Sequence, residues 1–236
     1  MFSTFERIGI VGAGAMGRGI AQIAAQAGCQ VLLLDSLPGV AEQATKAVHS
    51  QWSKLAEKGK LSPAEAQTNS SRLSAATALP DLAHCDLIVE AVIEDLATKR
   101  ALMKNLMDLT SPATVLATNT SSLSITAIAA GLDREAQVVG FHFFNPVPLM
   151  RVVEVIPGLK TSPEVVQKLE RFAKHMGHTP VVAHDTPGFI VNHAGRAYGT
   201  EALRVLGERV ADIAAIDNIL RDQAGFKLGP LQLMDL

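Results

Sequence analysis

Hydrophobic positions recur with two periods along this chain, and each change of period marks an element. Short β-rich runs at Arg7–Val11 and Gln30–Leu34 flank Met16–Ala27, where apolar residues fall at helical spacing. Strand, helix and strand in that order predict the opening of a βαβ unit with a parallel sheet. A long helical pattern covers Val40–Lys58, and Ser62-Pro63 supplies the N-cap and first helical position of another helix. These two helices are expected to form an excursion from the sheet. Further strands are predicted at Asp86–Ala91, Thr114–Thr118, Val138–Phe143, Val152–Ile156 and Pro180–Ala183, with helices at Leu96–Leu109 and Pro163–Met176 between them.

The alternation stops at Thr186-Pro187-Gly188. Beyond it the pattern is helical through Glu208 and again from Asp212 to Gln223, with no strand signal. The expected organisation is an α/β domain over residues 1–185 followed by a helical domain over 186–236. The segment Leu231–Leu236 is apolar and reads as the start of a further helix, so the helical domain is expected to be cut short, leaving apolar surface to associate or exchange with a neighbour.

Composition narrows the classes of function. A chain of 236 residues can bury a large core and carry a smaller appendage. With 48% hydrophobic and 19% charged residues, it has the make-up of an ordered globular protein. A net charge of -2 gives no global field for holding nucleic acid, which favours a small-molecule ligand. The two cysteines, Cys29 and Cys85, form no CxxC pair and join no histidine at metal-ligand spacing, so reduced thiols and no metal are expected. Residues Met1–Glu6 lack the basic and apolar regions of a signal peptide, and no apolar run approaches about 18 residues, so the expectation is a cytoplasmic chain without a membrane segment.

Gly12-Ala13-Gly14-Ala15-Met16-Gly17 is a GxGxxG turn between a predicted strand and a predicted helix. There Gly12 can make the tight turn, Gly14 lets a pyrophosphate approach the backbone, and Gly17 permits close helix-strand packing. The helix N-terminus faces the negative charge. Asp35, 18 residues past Gly17, ends the second strand, where a carboxylate can accept hydrogen bonds from ribose hydroxyls and repel a 2′-phosphate. The fold class predicted is α/β, a Rossmann-type dinucleotide-binding domain followed by an incomplete all-helical C-terminal domain. NAD is the expected cofactor, and the glycine pattern alone leaves FAD open.

Polar residues interrupt the later apolar runs at Asn119–Ser122, His142 and Glu154, and buried polar groups need partners. If Val138–Phe143 and Val152–Ile156 form a hairpin centred near Pro148, residues whose numbers sum to 296 face one another, which sets His142 opposite Glu154. Paired Cβ atoms about 4.5–5.5 Å apart allow an imidazole-carboxylate hydrogen bond. Beside a nicotinamide, a histidine can take the proton of an alcohol undergoing hydride loss, with the carboxylate fixing its tautomer. By spacing alone, a structural His-acid pair is an equal alternative.

The segments NTSSL (Asn119–Leu123), GFHFFNPVP (Gly140–Pro148), VVEVI (Val152–Ile156) and DTPGFIVN (Asp185–Asn192) closely resemble the L-3-hydroxyacyl-CoA dehydrogenases, including the 3-hydroxybutyryl-CoA enzymes. The resemblance runs from about Arg7 to the end of the chain. It implies that His142 is the catalytic base and Glu154 its orienting partner. It further implies that Ser121 lies near the substrate hydroxyl and the nicotinamide, and that Asn192 holds the reacting end of the substrate. Asn145, Glu94 and Lys99 match positions that contact NAD, although as residues Glu94 and Lys99 read as a solvated helix start. Lys58 matches a position that meets CoA phosphate, and a plain surface lysine is an equal alternative. Gln51 stands where a hydroxyl is usual, and His193 where arginine is usual.

The implied activity is reversible NAD-dependent oxidation of an (S)-3-hydroxyacyl-CoA, with fatty-acid β-oxidation as the default setting and a homodimer as the full-length assembly. Phenylacetate breakdown and 3-hydroxybutyryl-CoA metabolism are alternative settings. Two competing functions are a CoA-free hydroxy-acid dehydrogenase, similar to gulonate dehydrogenase and lambda-crystallin, and a non-catalytic NAD-binding protein.

Overall fold

The computed structural model describes residues 5–235 and divides into two compact units, residues 1–187 and 188–236. The readings made for residues 1–4 and for Leu236 lie outside the described residues.

The first unit opens with β1 (Arg7–Val11), α1 (Ala15–Gln26) and β2 (Gln30–Leu34), followed by α2 (Val40–Glu57) and α3 (Pro63–Ser71). It continues through β3 (Leu73–Ala75), β4 (Leu87–Glu90), α4 (Leu96–Leu109), β5 (Val115–Thr118), α5 (Ile125–Ala129) and β6 (Val138–Phe143). A closing section adds β7 (Val152–Pro157), α6 (Pro163–His175) and β8 (Thr179–Val182). Among the described residues the strands form one eight-stranded sheet in the order β3-β2-β1-β4-β5-β6-β7-β8. The first six are parallel; β7 runs antiparallel to β6, and β8 lies parallel to β7. Strand order reverses between β1 and β4, which opens a crevice at their carboxyl ends, the usual ligand position in such sheets.

Every residue of β4, β5 and β6 is buried. That accounts for their nearly unbroken apolar sequences, because parallel strands covered on both faces need no polar alternation. The core on one side packs Ile8, Ile10, Leu33, Phe141 and Phe143 against helices that contribute Ile20, Trp52 and Phe172. Full burial of Trp52 anchors the α2–α3 excursion to the sheet. The start of α3 follows its local sequence. Glu65 N–H donates to Ser62 Oγ at 3.2 Å, Ser62 N–H donates to the Glu65 carboxylate at 2.9 Å, and Pro63 occupies the first turn.

Among the strands and α-helices described, two escape the sequence pattern. β3 has three residues and no β-branched side chain, so its existence depends on pairing with β2. α5 has five residues, three of them β-branched; Ser124 caps it locally, and Asp185, far away in sequence, accepts from the N–H groups of Ile125 and Thr126 in its first turn.

The second unit contains α7 (Val191–Gly207), α8 (Ile213–Asp222) and α9 (Pro230–Met234). Ala202, Ile216 and Leu231, one from each helix, form its small core. The buried carboxylate of Asp217 accepts from Leu231 N–H at 2.9 Å and Gln232 N–H at 3.0 Å, satisfying the start of α9. Leu203, Val210, Ile213, Ile219, Phe226 and Leu233 remain exposed.

Candidate active site

The glycine turn follows β1 and opens α1 at the crevice. Gly12 has φ +101°, and a Cβ there would lie 2.5 Å from the carbonyl oxygen of Ala91 after β4. A Cβ on Gly17 would fall 1.7 Å from Gly12 O, so this glycine lets the helix approach the turn. Gly14 differs: its Cβ would meet nothing within 4 Å. As the N-cap of α1 it offers no side chain to the helix N-terminus, and the first turn contains no acidic residue. An open surface, amide donors and a positive helix end together suit a pyrophosphate.

Asp35 immediately follows β2. Its Oδ2 accepts from Ala13 N–H at 2.8 Å and its Oδ1 from Leu37 N–H at 3.0 Å, which fixes the carboxylate beside the glycine turn. Each carboxylate oxygen has more than one lone pair, so further donors such as ribose hydroxyls can be accepted. The turn, the exposed Gly14 and the held carboxylate therefore fit NAD.

On the β6–β7 pair, His142 is the register partner of Glu154, matching the hairpin arithmetic. His142 Nδ1 lies 2.6 Å from Glu154 Oε2, with both side chains buried. A hydrogen bond donated from Nδ1 to the carboxylate leaves Nε2 as the basic nitrogen of the neutral ring. The edge of the Phe144 ring packs against the imidazole, with centroids 4.6 Å apart, and supplies a second constraint on its orientation.

Ser121 stands in the loop after β5, and this loop is organised by Glu94. One oxygen of Glu94 accepts from Thr120 Oγ1 at 2.6 Å, Ser121 N–H at 2.8 Å, Ser121 Oγ at 3.3 Å, Ser122 N–H at 3.2 Å and Ser122 Oγ at 3.1 Å. Partial burial pushes the Glu94 carboxyl up, but these donors and the Lys99 charge outweigh it and hold the group below its ordinary value. Asn119 Oδ1 accepts from Phe143 N–H at 2.9 Å and ties the same loop to the end of β6.

For Lys99 the structure corrects the reading of a solvated helix start, while Glu94 and the rest of that start are exposed. The Lys99 side chain is 1% exposed, with Nζ 2.6 Å from Glu90 Oε1 and 3.3 Å from Glu94 Oε2. Glu90, fully buried at the end of β4, was missed by sequence reasoning. A lone acid closing the apolar run Leu87–Glu90 was the available signal, because a buried carboxylate demands a partner. Asp185 was missed as well. It accepts from Ser124 Oγ at 2.8 Å, Ile125 N–H at 2.9 Å and Thr126 N–H at 2.8 Å.

The remaining site residues stand on other elements. Asn145 is exposed just past β6, and Lys58 is exposed at the C-cap of α2. Asn192 is half-buried at the second position of α7 and belongs to the second unit. Among the described residues no group of three or more metal-ligating side chains is present, and no helix is long and apolar enough to cross a membrane.

A Rossmann-type sheet with a glycine turn suited to a pyrophosphate and a buried His-Glu pair defines the class as a dinucleotide-binding α/β protein, and comparison with known proteins supplies the family. Residues 7–186 match the NAD binding domain of 3-hydroxyacyl-CoA dehydrogenase, and residues 188–236 match the C-terminal domain of 3-hydroxyacyl-CoA dehydrogenase. The chain belongs to the 3-hydroxyacyl-CoA dehydrogenase family.

Over its whole length the chain is 44% identical to the 3-hydroxyadipyl-CoA dehydrogenase of Escherichia coli (strain K12), of which it spans 50%. It is 42% identical, over 97% of its length, to a probable 3-hydroxybutyryl-CoA dehydrogenase of Deinococcus radiodurans, of which it spans 82%. Among solved structures, a 3-hydroxybutyryl-CoA dehydrogenase from Escherichia coli K12 matches 98% of this chain and 49% of its own, with a TM-score of 0.95 and 44% identity. The (S)-3-hydroxybutyryl-CoA dehydrogenase of Ralstonia eutropha matches 98% of this chain and 82% of its own, with a TM-score of 0.93 and 36% identity.

Proposed function

We propose that the protein oxidises an (S)-3-hydroxyacyl-CoA to the 3-oxoacyl-CoA with NAD, and runs the reverse reduction. The observation that carries this reading is the buried 2.6 Å contact between His142 and Glu154. A structural His-acid pair needs no dinucleotide, but this one occurs on the same sheet as a glycine turn suited to a pyrophosphate. NAD, when bound, supplies the acceptor for the hydride that leaves C3 of the substrate.

His142 Nε2 takes the hydroxyl proton as the C3–O bond gains double-bond character. Glu154 holds the ring in the Nδ1–H tautomer and stabilises the imidazolium that forms. Ser121 is assigned a hydrogen bond to the substrate oxygen near the nicotinamide, and Asn145 a contact with NAD. Glu94 borders the cofactor through the loop it organises. Lys99, with its ammonium buried, serves that site through Glu94. Gly12 to Gly17 and Asp35 hold the pyrophosphate and ribose.

Asn192 and Lys58 are assigned to the reacting end of the substrate and to CoA phosphate on family resemblance. The relatives' names span short monocarboxylic and dicarboxylic acyl groups, so a short-chain acyl-CoA is the proposed substrate class. We place the protein in the cytoplasm, as a homodimer in its full assembly, with the exposed apolar residues of the second unit favouring association.

The experiment compares NADH consumption with acetoacetyl-CoA and with acetoacetate. Turnover of the thioester alone supports the proposal. Equal use of the free acid would favour a CoA-free hydroxy-acid dehydrogenase instead.

A further inference from the structure

The contacts around Ser121 close into a ring. Glu90 Oε2 accepts from Thr118 Oγ1 at 2.7 Å, and Thr118 Oγ1 accepts from Thr120 N–H at 3.2 Å. Thr120 Oγ1 donates to Glu94 at 2.6 Å, Glu94 pairs with Lys99 Nζ at 3.3 Å, and Lys99 Nζ returns to Glu90 at 2.6 Å. Glu90 also accepts from Val92 N–H at 2.7 Å, which holds the turn leading to Glu94. Glu90, Thr118, Thr120 and Lys99 are all buried, so water competes little for these bonds, and removal of one member is felt by the others.

We propose that Glu90 is a positioning residue for the reaction: through Lys99 and Thr118 it fixes the loop that presents the Ser121 hydroxyl. The inference rests on the proposed role of Ser121 at the substrate. A carboxylate that only neutralised a buried lysine would need no second bond to the strand beside it. Glu90 uses its two oxygens to join Lys99 on α4 to Thr118 at the end of β5, and both lead to the Ser121 loop, Lys99 through Glu94 and Thr118 through Thr120. The ring also gives the buried lysine a task, because it fixes the second oxygen of Glu94 while the first organises the loop.

The test combines turnover with amide hydrogen exchange in Glu90→Gln, Thr118→Val, Ser121→Ala and the double variants Glu90→Gln/Ser121→Ala and Thr118→Val/Ser121→Ala. Thr118→Val keeps every charge and breaks only the strand side of the ring, so it serves if Glu90→Gln folds poorly. Each ring variant is expected to lower kcat about tenfold with little change in KM, and to add nothing further in the Ser121→Ala background. Exchange should quicken at the Ser121 and Ser122 amides while the amides of β1 and α6 keep their protection.

Costs that multiply in the double variants, or faster exchange spread across the sheet, would overturn the inference and leave Glu90 a structural ion-pair partner. Full turnover in Ser121→Ala would overturn the reading of Ser121 itself. In that event the exchange at Ser121 and Ser122 alone decides whether Glu90 positions the loop.

Discussion

His142 and Glu154 face each other across an antiparallel strand pair, Nδ1 to Oε2 at 2.6 Å, with neither side chain open to solvent. The pairing makes the carboxylate responsible for which imidazole nitrogen carries the proton. In Glu154→Gln the amide can donate to Nδ1 and move the ring proton to Nε2, which removes the base. We expect kcat to fall by about 10²–10⁴-fold in both directions while NADH affinity is retained. Steady-state kinetics and NADH fluorescence titration check this, and a loss confined to KM would contradict it.

The glycines separate folding from cofactor binding. Gly14→Ala adds a methyl group to open space, so its melting temperature should match that of the parent. Its NADH affinity should weaken by about tenfold or more, because the methyl group occupies the approach to the helix N-terminus. Gly17→Ala meets Gly12 O and should unfold or fail to accumulate. Parallel thermal melts and NADH titrations test both; a Gly14→Ala protein that binds NADH normally would remove the pyrophosphate from this turn.

Much of the α/β architecture was legible because the central strands β4, β5 and β6 are buried at every residue and therefore announce themselves as apolar runs. The His142–Glu154 pairing was legible because antiparallel register is arithmetic once the turn is placed. The ring around Glu90 was not. Its members come from β4, α4, the carboxyl end of β5 and the loops that follow β4 and β5, and only the parallel pairing of β4 with β5 sets Glu90 beside Thr118. Helix α5 was hidden for a similar reason, since beyond its local Ser124 cap it depends on Asp185, distant in sequence, to accept from its first two amides.

Asp185 makes that dependence measurable. Partial burial pushes its carboxyl up, but bonds from Thr126, Ser124 and Ile125 outweigh burial and leave it below its ordinary value of 3.8. A carboxyl depressed in the folded state contributes stability that is complete above its unfolded value and is lost as pH falls through the folded one. Asp185→Asn should therefore cost about 1 kcal/mol at neutral pH. The difference from the parent should shrink as pH drops below 3.8. Urea unfolding across that range checks the trend, and a difference that grows in acid would have the wrong sign.

Thr45 on α2 is buried with an Oγ1 that has no hydrogen-bond partner. Valine has nearly the same shape and no hydroxyl to desolvate. Thr45→Val should raise stability by about 1 kcal/mol in chemical denaturation. A destabilised variant would show that the hydroxyl is satisfied in solution.

The most direct test of the central claim is NADH oxidation by acetoacetyl-CoA in the parent and in His142→Gln, with NADH binding measured on the same preparations. The account predicts turnover by the parent, a loss of about 10²–10⁴-fold in the variant, and equal NADH affinity in the two. Undiminished turnover by His142→Gln, or NADH binding without turnover by the parent, would contradict it.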